Sequence, residues 1–194
     1  MDRGNLLYIT SPRSGTHYLW SVLCQYNLDM FNAENITHFH TTSFLDKDQL
    51  DSVFTHAVLL MRQDTLRQAI SLIRESNDTK RISYHRHEEG GVIPEIIGNI
   101  SHISAVEILE LQDFIIKSDK SCFDVLAKSN IPVLSLFYEE VCLDVYRNVQ
   151  RVFRFLDKDI PERIDTVPDI CIQRDIFTEM LYRECAQYKM GSLL

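Results

Sequence analysis

No apolar run in this 194-residue chain approaches the ~20 residues that span a bilayer, and no basic-then-apolar leader opens it. The expectation is a cytoplasmic protein with no stable membrane insertion. Cysteines are poorly placed for pairing: Cys24, Cys122, Cys142, Cys171 and Cys185 are odd in number and contain no Cys-x-x-Cys spacing. That favours reduced, buried thiols over a disulfide framework. No Cys, His or Asp spacing argues for a metal. Positive charge is short as well: 20 Lys and Arg stand against 28 Asp and Glu, for a formal net charge of −8. A broad nucleic-acid footprint is thereby excluded, and an anionic ligand must meet a local basic pocket. Repeats, low-complexity tracts and linkers are missing too. One domain over residues 1–194 is the simplest organisation.

What is present is the composition of an ordinary globular protein, with 45% hydrophobic and 25% charged residues and enough length for a real core. The rest of the chain is organised around residues 6–23. A short buried strand, Leu6 to Thr10, leads into a turn from Ser11 to Gly15 and a helix from about Thr16. Leu19, Val22, Leu23 and Tyr26 mark one buried helical face. A small-residue turn between strand and helix presents backbone N–H groups at the positive end of the helix dipole, which makes an anion cradle. Arg13 adds a planar donor fork, and Ser14 and Thr16 add hydroxyls. The nucleotide-triphosphate loop G-x-x-x-x-G-K-S/T is absent, because no Gly precedes at the right distance and no Lys follows Gly15.

A second junction of the same kind follows. Ala57 to Met61 is a continuous apolar run suited to a strand covered on both faces. It ends at Arg62. Asp64 then caps a helix whose Leu66, Ala69, Ile70 and Ile73 share a face, with Ser71 about two turns in. This puts a cation at the carboxyl end of a strand, the edge where open α/β sheets bind ligands.

Pro12-Arg13-Ser14-Gly15-Thr16 closely resembles the 5′-phosphosulfate loop of sulfotransferases that use 3′-phosphoadenosine-5′-phosphosulfate (PAPS). There the loop reads Pro-Arg/Lys-Ser-Gly-Ser/Thr-Thr, and His17 here stands where the second hydroxyl residue often stands. That family also binds the donor's 3′-phosphate with an Arg at a strand end and a Ser on the next helix. Arg62 and Ser71 keep that order and spacing. The resemblance implies a three-layer α/β/α fold with a mostly parallel sheet, P-loop nucleotide-hydrolase-like. It implies a donor site of Arg13, Ser14, Gly15, Thr16, His17, Arg62 and Ser71.

Further along, residues 77–101 hold the densest basic cluster, Lys80, Arg81, His85, Arg86 and His87, followed by Glu88-Glu-Gly-Gly91. This reads as a loop, either a flap supplying positive charge or a plain exposed segment. A long helix follows from Ser101 to about Lys128, with a core seam at Ile108, Leu111, Ile115, Ser118, Cys122, Val125 and Leu126. A third strand spans Ile131 to Tyr138, then a helix buries Val145, Val149, Val152, Phe153 and Leu156. Sulfotransferases commonly end this strand in Tyr-Glu-Asp-Leu and this helix in Phe-Leu; Tyr138-Glu139-Glu140-Val141 and Phe155-Leu156 are similar. In that family the Tyr lies near the adenine, which makes Tyr138 a nucleotide-binding candidate. A last helix runs from Gln173 to Tyr188 with Ile176 and Met180 inward. The order of these motifs looks most like the bacterial trehalose-2-sulfotransferase type.

Transfer to a hydroxyl needs a general base. Asn27 to Asp51 is polar and irregular, with a short helix near Asp46 to Phe54, and carries Glu34, His38 and His40. The trehalose type has a catalytic Glu at about the distance of Glu34 from the Arg-Ser-Gly turn, so Glu34 is the first choice. His38 or His40 comes next and His17 third, because imidazole suits the task. The implied reaction moves a sulfuryl group from PAPS to an acceptor hydroxyl, a small molecule or glycan, with Arg13 stabilising charge and no metal. Two other readings stand beside it: a non-catalytic protein that binds PAPS or its bisphosphate product, and a small P-loop-type kinase. The missing Lys after Gly15 argues against the kinase.

Overall fold

β1 (Leu6–Thr10) is buried along its whole length, and the sheet is built outward from it. β2 (Ile36–His40) pairs on one side, β3 (His56–Met61) on the other, and β4 (Val133–Phe137) beyond β3. All three pairings are parallel; Tyr8 stands opposite His38 and Val58, and Leu59 opposite Ser135. The computed structural model describes residues 6–14, 19, 23, 36–41, 46–77, 103–160, 162 and 176–191.

Strand order β2-β1-β3-β4 reverses direction at β1: the chain steps to one side for β2, then across to β3 and onward to β4. Parallel crossovers are right-handed, so connections of opposite step fall on opposite faces. Successive residues of a strand also face opposite ways. Leu7, Ile9, Ala57 and Leu59 form one core cluster with Leu50 of α1 (Lys47–Val53) and Cys122 and Leu126 of α3 (Ala105–Leu126). The opposite face is buried as well, at Leu6, Tyr8, Val58, Leu60 and Leu136. There the His56 ring meets Phe155 of α5 (Val145–Phe155) edge-on, with centroids 5.3 Å apart. The fold is an α/β protein with a four-strand parallel sheet among the described residues.

The chain divides into two compact units, Met1–Gln63 with Lys117–Pro168, and Asp64–Ile116 with Asp169–Leu194. The first holds the sheet. The second holds α2 (Thr65–Asn77), the N-terminal half of α3 and α6 (Ile176–Gly191). Its core joins Leu66, Ala69, Ile70, Ala105, Ile108, Ile115, Leu181 and Cys185. Asp64 caps α2 as expected, accepting from Arg67 N–H at 3.0 Å. Arg67 also pairs with Glu179 and lies over the Tyr182 ring.

Several elements differ from the sequence reading. The segment from Asn27 to Asp51 is not all irregular outside its helix, because Ile36–His40 is a strand. Phe39 packs on the core cluster while Thr37, His38 and His40 are polar, so this short strand, at the edge of the sheet among the described residues, carries little apolar signal in its pattern. The long helix is capped at Ser104: its hydroxyl accepts from Glu107 N–H at 3.2 Å, and the Glu107 carboxylate accepts from Ser104 N–H at 2.9 Å. Two helices follow β4 where the pattern reads as one: Asp144 ends α4 (Tyr138–Leu143) and caps α5, accepting from Arg147 N–H at 2.9 Å. α5 closes with Asp157 at φ 51°, Asp157 N–H on Arg154 O and Lys158 N–H on Phe153 O, a Schellman ending. In α6, Met180 points outward at 59% exposure, and the buried stripe is Thr178, Leu181 and Cys185. Cys122 and Cys185 are buried free thiols, Cys142 is a half-buried one, and Cys24 and Cys171 lie outside the described residues.

Candidate functional site

The carboxyl ends of β1, β3 and β4 converge on one arginine within the first unit. After Thr10 the chain folds back through Ser11-Pro12-Arg13-Ser14, closed by Ser14 N–H donating to Ser11 O at 3.1 Å. Proline's fixed φ suits the second position of such a turn, and the third, Arg13, has φ 58°. That is the type II pattern, which ordinarily takes Gly third; an L-residue there costs about 1 kcal/mol. Ser14 is fully buried, and its hydroxyl has no hydrogen-bond partner among the described residues. Buried polar groups left unmet are rare in folded proteins, and a ligand or water is the usual completion.

Arg62 follows β3 directly. Its Nη1 donates to the carbonyl oxygen of Arg13 at 3.4 Å, its Nε stands 3.6 Å from Glu139 Oε1, and its guanidinium lies 5.2 Å from the centroid of the Tyr138 ring. The Arg62 side chain is only 14% exposed, so these partners hold a largely desolvated charge in one geometry. Glu139 is itself fixed, accepting from Gln63 N–H at 2.9 Å. Cys142 lies one turn beyond Tyr138. Burial pushes its thiol up, the Tyr138 hydrogen bond pulls it down, Glu139 pushes it up, and Arg62 opposes. The net shift is upward, which keeps Cys142 a thiol and a poor nucleophile.

The other half of the site lies across β1 and β2. Thr10 Oγ1 sits 2.8 Å from His38 Nε2 and 3.3 Å from His40 Nδ1. Both histidines are exposed, their rings meet edge-on with centroids 4.9 Å apart, and His38 also packs 5.6 Å from the Tyr8 ring. A hydroxyl has one proton. When both rings are neutral and both contacts are made, at least one of the two ring nitrogens carries a proton that Thr10 accepts, because the hydroxyl has only one of its own to give.

Sequence reasoning passed over Asp119. This half-buried carboxylate on α3 accepts from Ser11 Oγ at 2.9 Å and from Thr41 Oγ1 at 2.6 Å. Burial raises its pKa, and the Thr41 and Ser11 bonds pull the other way. Ser11 is the first residue after β1 and Thr41 the first after β2. Their N–H groups extend the sheet, Ser11 to Leu60 O at 2.9 Å and Thr41 to Thr10 O at 3.0 Å.

Of the sequence candidates, Arg13, Ser14, Arg62 and Tyr138 are brought to one place, and His38 and His40 to the neighbouring strand end. Ser71 is half-buried on α2 in the second unit. Gly15, Thr16, His17 and Glu34, and the basic stretch Lys80 to His87, lie outside the described residues. Among the described residues, no three His, Cys, Asp or Glu side chains are grouped to hold a metal ion, and no helix is long and apolar enough to cross a membrane.

Two cationic side chains and an unmet hydroxyl at the carboxyl edge of a parallel sheet can hold an anion. They stand where strand order reverses, the place such sheets bind ligands. No protein-family model and no curated protein matches this chain.

Proposed function

We propose that this chain is a PAPS-dependent sulfotransferase on a P-loop-like three-layer α/β/α fold, working in the cytoplasm on an acceptor hydroxyl, a carbohydrate hydroxyl first. The observation that carries the reading is the Arg62 bridge. The two junctions that resemble the donor site's two phosphate-binding elements are tied by Arg62 Nη1 to Arg13 O.

The donor supplies an activated sulfuryl group on a phosphate leaving group. Ser14, with its unmet hydroxyl, and the Arg13 guanidinium suit the phosphosulfate end, alongside Gly15, Thr16 and His17. Arg13 balances charge that grows on the leaving oxygen, a demand shared with phosphoryl transfer. Arg62 takes the 3′-phosphate, and Tyr138 borders the adenine. Each charge-assisted bond lost costs roughly 1.5–3 kcal/mol, enough for at least tenfold preference over ATP or ADP. Glu34 takes the acceptor's proton, with His38 or His40 next in line. No metal is required by this chemistry.

Calorimetric titration with 3′,5′-adenosine bisphosphate, AMP, ADP and ATP tests the reading. Preference for the bisphosphate, lost in Arg62→Ala, supports it. Equal binding of all four overturns it, and bisphosphate binding with no turnover of any acceptor turns it into a non-catalytic binding protein.

A further inference from the structure

We infer that Asp119 is a positioning residue that staples the anion loop to the strand end bearing His38 and His40. The inference rests on the reading above only for what the two ends do. The contacts stand without it.

Asp119 reaches two hydroxyls that belong to different crossings of the sheet. Ser11 opens the turn that sets Arg13 and Ser14, and Thr41 directly follows His40. Both are almost fully buried. The backbone holds Ser11 at its N–H and carbonyl, through Leu60 O and Ser14 N–H, and Thr41 at its N–H, through Thr10 O, but these bonds leave both side chains unfixed. One carboxylate with an oxygen on each hydroxyl removes the remaining freedom of both strand ends together. Asp119 is anchored in turn, because Cys122, three residues on, packs in the core with Leu7 and Ile9 of β1. The carboxylate also occupies the Ser11 hydroxyl, which leaves Ser14 as the turn's unmet one.

A group transfer needs donor and base aligned to better than about 1 Å, a tolerance that misplaced side chains exceed easily. The loop end holds the proposed donor and the β2 end holds imidazoles that face the same edge. Asp119 touches neither ligand nor reacting atoms. It sets how far apart they are.

The test uses four variants of the full chain, Asp119→Ala, Asp119→Asn, Ser11→Ala and Thr41→Val, each checked for folding by thermal melting. Two readouts are taken: calorimetric affinity for 3′,5′-adenosine bisphosphate, and the ring signals of His38 and His40 in nitrogen-15 NMR. Asp119→Ala weakens the bisphosphate about tenfold and shifts both imidazoles. Ser11→Ala reproduces mainly the first effect and Thr41→Val mainly the second, while Asp119→Asn, which keeps an acceptor oxygen, recovers much of both. If folded Asp119→Ala binds as wild type and leaves the ring signals in place, the staple is wrong. If Asp119→Asn shows no recovery over Ala, the positioning role is equally overturned. Failure of the wild-type chain to bind bisphosphate sinks the sulfotransferase reading instead, and the imidazole signals still decide on Asp119.

Discussion

Arg62 Nη1 donates to the backbone oxygen of Arg13 at 3.4 Å, so a residue after one strand supports the turn after its neighbour. Substituting either arginine therefore disturbs more than its own charge. Arg62→Ala is expected to weaken 3′,5′-adenosine bisphosphate binding by ten- to hundredfold, at roughly 1.5–3 kcal/mol for a charged bond. In a double-mutant cycle Arg13→Ala and Arg62→Ala are non-additive, because removing Arg62 also loosens the loop that presents Arg13. Arg62→Lys recovers only part, lacking the flat fork that reaches Arg13 O and Glu139 while lying over Tyr138. Strict additivity in calorimetry removes the coupling.

Arg13 sits at φ 58°, where an L-residue is strained and Gly is not. Arg13→Gly relieves about 1 kcal/mol of that strain. It is expected to melt at the same temperature as wild type or slightly higher, while losing anion binding. Arg13→Ala keeps the strain and loses the guanidinium, so it separates backbone from charge. Thermal melts of the two variants that rank Ala above Gly contradict the turn assignment.

Sequence alone made β1, β3, β4, the long helix and the Asp64 cap legible, since each rests on a local pattern of apolar runs, helical spacing or a single capping side chain. It did not reveal β2. Thr37, His38 and His40 are exposed on that strand, and a half-covered edge strand of five residues has too few apolar positions to show a period of two. Asp119 was hidden for another reason. Its partner Ser11 is 108 residues away, and an acidic residue on a helix beside a core seam looks the same whether it meets water or two hydroxyls. Met180 was misread because apolarity outweighed the smaller stripe of Thr178, Leu181 and Cys185 that faces the core. In the candidate site, the residue types were legible from the loop and strand ends. The bonds that join them were not.

The Thr10 hydroxyl between two imidazoles predicts linked tautomers. At a pH where both rings are neutral, at least one of His38 Nε2 and His40 Nδ1 is expected to carry a proton, since the hydroxyl can donate to only one bare nitrogen. Long-range proton–nitrogen correlation spectra read this directly. Thr10→Val releases the link and lets each ring choose its tautomer independently. Two bare nitrogens in the wild-type chain would falsify the bridge.

Base assignment is tested by turnover once an acceptor is found. Glu34→Gln is expected to cost 10²–10⁴-fold in kcat, the usual contribution of a positioned base. His38→Gln and His40→Gln cost less if Glu34 holds the role. A larger loss at a histidine than at Glu34 transfers the role to the pair, and unchanged turnover in all three variants leaves the base elsewhere.

Asp119 gives the fold a pH dependence of definite sign. Burial raises its pKa above that of the unfolded chain, so the folded protein holds the proton more tightly. The contribution to stability is thus fully present below the ordinary Asp value of about 3.9, and is lost as pH rises through the higher folded value. Asp119→Asn has no carboxylate to ionise and escapes that loss. The melting temperature of the Asn variant minus that of wild type is therefore expected to increase from pH 3.5 toward neutrality, then level off. Taking the difference removes the acid sensitivity of all other groups. A difference that instead decreases as pH rises means the two hydroxyl bonds outweigh burial, which makes Asp119 a net stabilising anion in the folded chain.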